Sequence, residues 1–151
     1  DNLNDYNFAE GKAAETGTDF YLAIAKTMKA HGFTALVDIY NNVPYTEALK
    51  GLEFVRPKYD DGKFVYEESM KELDNAMALF QKLKAAGTIA PATNSVDVMF
   101  GGNVDLWMKF VNTLKLRLLM HQSARADRQS YITAEIAKIV SQGSGCLLYT
   151  S

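Results

Sequence analysis

The sequence predicts an all-α protein. Two observations carry that expectation: apolar residues recur at three- and four-residue steps in four stretches, and Gly, Asn or Pro stops three of them. A third is bulk, since 151 residues with 48% apolar and 23% charged side chains can bury one core. Long irregular connections join the helices, with one short extended piece expected at residues 96–100.

Residues 1–15 are polar and small and read as loop or as the tail of another element. From Thr18 the pattern is helical, with Phe20, Ile24, Met28, Ala35, Leu36, Ile39 and Tyr40 near one face. Thr18 is placed to cap by accepting from a backbone N–H two or three residues on, and Asp19 suits the positive end of the dipole. Gly32 costs a mid-helix position about 1 kcal/mol against Ala, which points to a kink or a close helix contact there. Asn41 and Asn42 stop the helix, because Asn tolerates the left-handed conformation and Pro44 cannot be continued into.

Residues 43–63 form an irregular connection in which Asp60-Asp61-Gly62 signals a turn. The second helix has the cleanest period: Tyr66, Met70, Leu73, Met77, Phe80 and Leu83 or Lys84. Glu67 and Lys71 are spaced to pair on its wet face, and Gly87 ends it. After a second loop closed by Gly101-Gly102, a third helix runs over about 104–126. Its stripe is Trp107, Phe110, Val111, Leu114 and Leu118, with Leu116, Leu119 and Met120 adding a second. A fourth, over about 128–141, carries Ile132, Ile136, Ile139 and Val140, with Asp127 as its cap and Gly143 as its stop.

Sixteen basic against eighteen acidic side chains give a formal charge of −2, and no basic stripe offers phosphates a surface. No apolar run reaches the ~18 residues of a membrane-spanning helix. The final residues Cys146-Leu147-Leu148-Tyr149-Thr150-Ser151 break from the preceding pattern and match the translated end of a transposon-based sequencing adapter. The expectation is that 1–145 is part of a larger helical domain and that 146–151 is read-through rather than natural sequence.

Chemistry is sparse. His31 and His121 lack metal-ligand spacing and a third ligand, so packing or surface roles are expected and no metal. Asp60-Asp61 suits a turn and Glu67-Glu68 a solvated helix start, which is simpler than a glycosidase pair. No nucleophile elbow, P-loop or dinucleotide fingerprint is present, so neither catalysis nor a cofactor is expected. Trp107 sits on the most apolar helix and reads as core rather than as a stacking platform. Tyr40, Tyr45 and Tyr59 lie at a helix end or in the first loop, where rings are reachable. Asn41 and Asn42 beside them offer donors and acceptors to hydroxyls. The ligand-binding candidates are therefore Tyr40, Asn41, Asn42 and Tyr45.

Three stretches, taken in order, carry a resemblance. The first runs from Met28-Lys29-Ala30-His31-Gly32-Phe33 through Leu36-Val37-Asp38-Ile39-Tyr40-Asn41-Asn42-Val43-Pro44-Tyr45-Thr46-Glu47-Ala48-Leu49-Lys50-Gly51. The second is Arg56-Pro57-Lys58-Tyr59-Asp60-Asp61-Gly62-Lys63, followed by Tyr66 and Leu73-Asp74-Asn75-Ala76; the third spans 100–118 around Trp107. Their order and spacing resemble the SusD/RagB-type nutrient-binding outer-membrane lipoproteins over residues 18–143.

The resemblance implies tetratricopeptide-like helix pairs in a lipid-anchored protein on the cell surface of a Gram-negative bacterium. It implies a lid on a SusC-like TonB-dependent transporter that binds a glycan or other oligomeric nutrient, without catalysis or cofactor. Members of the family are several times longer, and their lipid-bearing cysteine is expected outside this segment. Asn41-Asn42 stands where the family has Gly-Asp, and no family ligand residue transfers to a numbered position. From another class, a helical-repeat protein–protein adaptor would use the same helices to bind protein segments.

Overall fold

The computed structural model describes residues 2–87, 96–142 and 147–148. Among them are five α-helices: α1 (Asn2–Thr16), α2 (Asp19–Tyr40), α3 (Gly62–Ala86), α4 (Val104–His121) and α5 (Gln129–Val140). Two 3₁₀ turns, Gly51–Phe54 and Ala126–Arg128, lie between them. The chain divides into two compact units, Asp1–Leu79 and Phe80–Ser151. The all-α class stands, without a strand among the described residues.

In the first unit, the described part of the stretch expected as loop, residues 2–15, is not loop. They form α1, which packs along α2 although its only buried residue is Ala13. An apolar stripe is missing because polar anchors replace it. Glu10 accepts from Lys26 Nζ at 2.8 Å and pairs with Lys29, and Lys26 also reaches Glu72 of α3 at 2.8 Å. Burial opposes ionisation of Glu10, but the two lysines hold its carboxyl below the usual range. Leu3 lies on Gly32, where a Cβ would stand 2.6 Å from its Cδ2. Gly32 thus marks a close helix contact.

The buried face of α2 is Phe20, Ala23, Thr27, Ala30, Thr34 and Val37, joined by Ala25 and Phe33. Ile39 and Tyr40, expected on that face, are exposed. The stripe read from bulky residues is rotated because small Ala and Thr line the true contact. Thr18 occupies the cap position without a side-chain capping bond; its hydroxyl turns back to Thr16 Oγ1 at 2.9 Å. In α3, Val65, Met70, Leu73, Ala76, Met77 and Phe80 are buried, Lys71 pairs with Glu68, and Gly87 follows at φ +66°. Phe33, Val37, Val43 and Val65 form the centre of the first unit's core, with Tyr45, Leu49 and Tyr66 packed against it.

In the second unit, residues 96–100 are not extended. Asp97 winds them into turns by accepting from the N–H groups of Met99 (3.0 Å), Phe100 (3.2 Å) and Gly102 (3.0 Å). Its carboxylate also takes the indole N–H of Trp107 at 2.7 Å. Trp107 is buried among Phe80, Phe100 and Phe110, as a core residue.

Asn103 caps α4 by accepting from Leu106 N at 3.1 Å. That helix ends at His121, short of 126, because Gln122 folds back onto Leu118 O (3.0 Å) and accepts from Arg128 Nε (2.9 Å). Asp127 pairs with Arg125, and the cap position of α5 falls to Arg128. On α5, Ile132 and Ile139 are buried while Val140 is exposed. The expected stop at Gly143 and most of 146–151 lie outside the described residues; Leu148 N donates to Thr113 Oγ1 at 3.0 Å.

Candidate functional site

The candidate residues lie where α2 ends. Asn41 ends the helix as expected and donates its N–H to Val37 O at 2.8 Å, but with φ +64° and ψ −70° it sits in the γ-turn region and not in the left-handed helical conformation expected for Asn. Asn42 N then donates to Tyr40 O at 2.9 Å, so the backbone reverses sharply. Val43 pairs antiparallel with Asp60, N–H to O at 3.2 and 2.9 Å in the two directions.

Asp60 clamps this turn. Its Oδ2 accepts from Tyr45 N (3.0 Å), Thr46 N (2.7 Å) and Thr46 Oγ1 (3.0 Å). Desolvation pushes its pKa up, but the bonds from Thr46 and Tyr45, helped by the Lys58 charge, bring it below the usual range. The sequence showed Asp60 only as part of a turn; its grip on residues fifteen and fourteen positions back had no local signal.

The result is a groove of about 380 Å³ lined by Leu36, Tyr40, Asn42, Val43, Pro44 and Tyr59. Tyr40 and Tyr59 are 66% and 72% exposed, so both rings present a face to solvent. Asn42 Oδ1 is occupied, accepting from Asn41 Nδ2 at 3.0 Å and from Gly62 N at 3.2 Å. A larger hollow of about 510 Å³, lined by Asn2, Leu3, Asn4, Gly32, Leu36 and Leu49, has no aromatic wall.

Of the four candidates, the structure brings Tyr40 and Asn42 together at the groove and puts Asn41 beside them as the helix stop. Tyr45 faces inward. Its ring meets Phe33 edge-on at 4.7 Å and Phe64 at 6.3 Å. Burial, reinforced by the charges of Glu72, Glu68 and Glu10, pushes its phenol above the ordinary range. Pro44, Val43 and Leu36 complete the wall and had not been singled out; nothing in an apolar residue's local sequence marks it as groove rather than core.

Among the described residues, no three His, Cys, Asp or Glu side chains are grouped to hold a metal ion. No helix among them is long and apolar enough to cross a membrane.

A SusD-like family model, described as starch-binding and associating with the outer membrane, matches residues 1–149. The chain belongs to the SusD-like family. A SusD homolog from Bacteroides fragilis is 30% identical, with a TM-score of 0.69 over 83% of this chain and 26% of its own. A chitin-binding SusD homolog from Flavobacterium johnsoniae is 28% identical, with a TM-score of 0.76 over 91% of this chain and 28% of its own. A SusD/RagB family protein from Bacteroides thetaiotaomicron is 25% identical, at a TM-score of 0.74 over 93% and 29%. The chain therefore spans less than a third of the length of these SusD-like structures. No curated protein matches it.

Proposed function

We propose that this SusD-like chain serves non-catalytic capture of glycans or other oligomeric nutrients at the cell surface, for delivery to a TonB-dependent outer-membrane transporter. In this reading the whole protein is held to the outer membrane by lipid and works by holding its ligand, not by cleaving it. The match of the starch-binding, outer-membrane-associating family over 1–149 is the observation that carries it. The chitin-binding relative adds a second polysaccharide to the class. Within the chain, the turn of Tyr40, Asn41 and Asn42, with Tyr45 packed beneath, is the proposed contact region.

Calorimetric titration of the chain with soluble oligosaccharides, followed by chromatography of the mixture, tests the reading. Binding with the oligosaccharide recovered intact is expected. Shortened products would overturn the non-catalytic role, and failure to bind any glycan would overturn capture by this chain. Delivery is tested separately: the intact protein should co-purify from outer membranes with a TonB-dependent transporter.

A further inference from the structure

We infer that the groove between Tyr40 and Tyr59 is a subsite for a neutral pyranose, with the two phenol rings and Pro44 as its stacking walls and the Asn42 carboxamide as a hydrogen-bond donor. This deepens the nutrient-binding reading and rests on it. Tyr59 and Pro44 enter the site, and Tyr45 leaves it to become a positioning residue.

The chemistry of the lining selects the ligand. All six lining residues are uncharged, so the groove offers no counter-ion to a carboxylate, sulfate or phosphate. Exposed tyrosine rings pair an apolar face with a polar tip, which suits a sugar's C–H face and its equatorial hydroxyls.

Asn42 is the sharper indicator. With Oδ1 taken by Asn41 Nδ2 and Gly62 N–H, the carboxamide is fixed with its NH₂ as the group left to a ligand. The site therefore donates at this point, and the ligand must accept there through a hydroxyl, ring or glycosidic oxygen. A volume of about 380 Å³ falls at the small end of ligand pockets, which fits one or two sugar units and not a folded partner.

The groove is also built before ligand arrives. Asp60 holds the backbone of Tyr45 and Thr46 immediately after Pro44, and the Val43–Asp60 bridge places Tyr59 across from Tyr40. Tyr45 contributes from behind, its ring locked on Phe33 while its N–H joins the Asp60 clamp. Little ordering is then left for the ligand to bring about.

The test uses the 151-residue chain with maltoheptaose, chitohexaose, trigalacturonate and a neutral pentapeptide, read by calorimetry. A neutral oligosaccharide should bind best, with Tyr40→Ala and Tyr59→Ala each weakening it about three- to tenfold. Both alanine variants should melt as the parent does, since each ring is largely exposed.

Full affinity in the Tyr40→Ala/Tyr59→Ala double variant would overturn the subsite while leaving glycan capture intact. Preference for trigalacturonate would overturn the neutral class, and preference for the peptide would overturn the sugar. Silence of the parent chain toward every glycan would overturn both the subsite and the reading beneath it.

Discussion

Asp97 shows what one side chain can organise. Its carboxylate gathers three backbone N–H groups and the Trp107 indole N–H, turning a loop end into the lid over an aromatic cluster. Desolvation raises its pKa, yet those four donors, the indole foremost, bring it below the usual carboxylate value. Charge-assisted bonds to partly buried carboxylates are worth more than neutral ones, so Asp97→Asn should cost about 1–3 kcal/mol in urea unfolding. Trp107→Ala should cost more, about 3–5 kcal/mol, because it empties a buried ring's volume and also strips Asp97 of a donor. An unfolding midpoint unchanged by Trp107→Ala would contradict the burial of this ring. The sequence disclosed Trp107 as core through its helical stripe. It did not disclose Asp97, whose partners run from Met99 through the Gly-Gly turn to Trp107 without any periodicity.

Helix α2 packs through small residues, and two glycines in other helices separate propensity from packing. At Gly11 in α1 an added Cβ meets nothing within 4 Å, so Gly11→Ala should stabilise by up to about 1 kcal/mol through helix propensity alone. At Gly62, the first residue of α3, the same methyl would stand 2.4 Å from the Asn41 carbonyl oxygen. Backbone cannot rotate aside as a side chain can, so Gly62→Ala should destabilise by about 1–3 kcal/mol. It should also loosen Asn42, whose Oδ1 accepts from the Gly62 N–H. Opposite shifts of the two melting temperatures are expected; a gain at Gly62 would show that the α2–α3 turn yields easily. The same distinction explains what was legible beforehand. Helices α2 to α5 announced themselves by period, and α2 and α3 also by their Asn and Gly stops. Helix α1 did not, because Glu10, Lys26, Lys29 and Glu72 hold it where an apolar stripe would ordinarily be. For the candidate site, the Asn41-Asn42 stop and the reachable Tyr40 could be read from neighbouring residues. The groove could not, since its far wall at Tyr59 arrives through the Val43–Asp60 pairing.

At the scale of the whole chain, ionisable groups in different elements act on stability in the same direction. Glu10 in α1, Asp60 beside the groove and Asp97 in the second unit all have carboxyls held below their ordinary values of 4.5, 3.8 and 3.8. The unfolded chain therefore binds protons at these groups more readily than the folded one. Their contribution is complete above the ordinary carboxylate range and is lost as pH falls through the lower folded values. Lys26 is shifted upward from 10.5: burial opposes its charge, but Glu10 and Glu72 outweigh it. Its contribution is complete below that value and disappears as pH rises through the folded one. Tyr45 adds to the alkaline limb, because its buried phenol resists ionisation that the unfolded chain permits. Urea midpoints measured across pH should fall on both sides, below about pH 4 and above about pH 10. The combined variant Glu10→Gln, Asp60→Asn, Asp97→Asn should be less stable at neutral pH and should lose much of the acid slope. An acid limb as steep as the parent's would assign acid sensitivity to other carboxylates and leave these three as purely geometric anchors. Loss of the slope would instead tie the α1 anchor, the groove clamp and the Trp107 lid to one electrostatic requirement, that each carboxylate stay ionised in the folded chain.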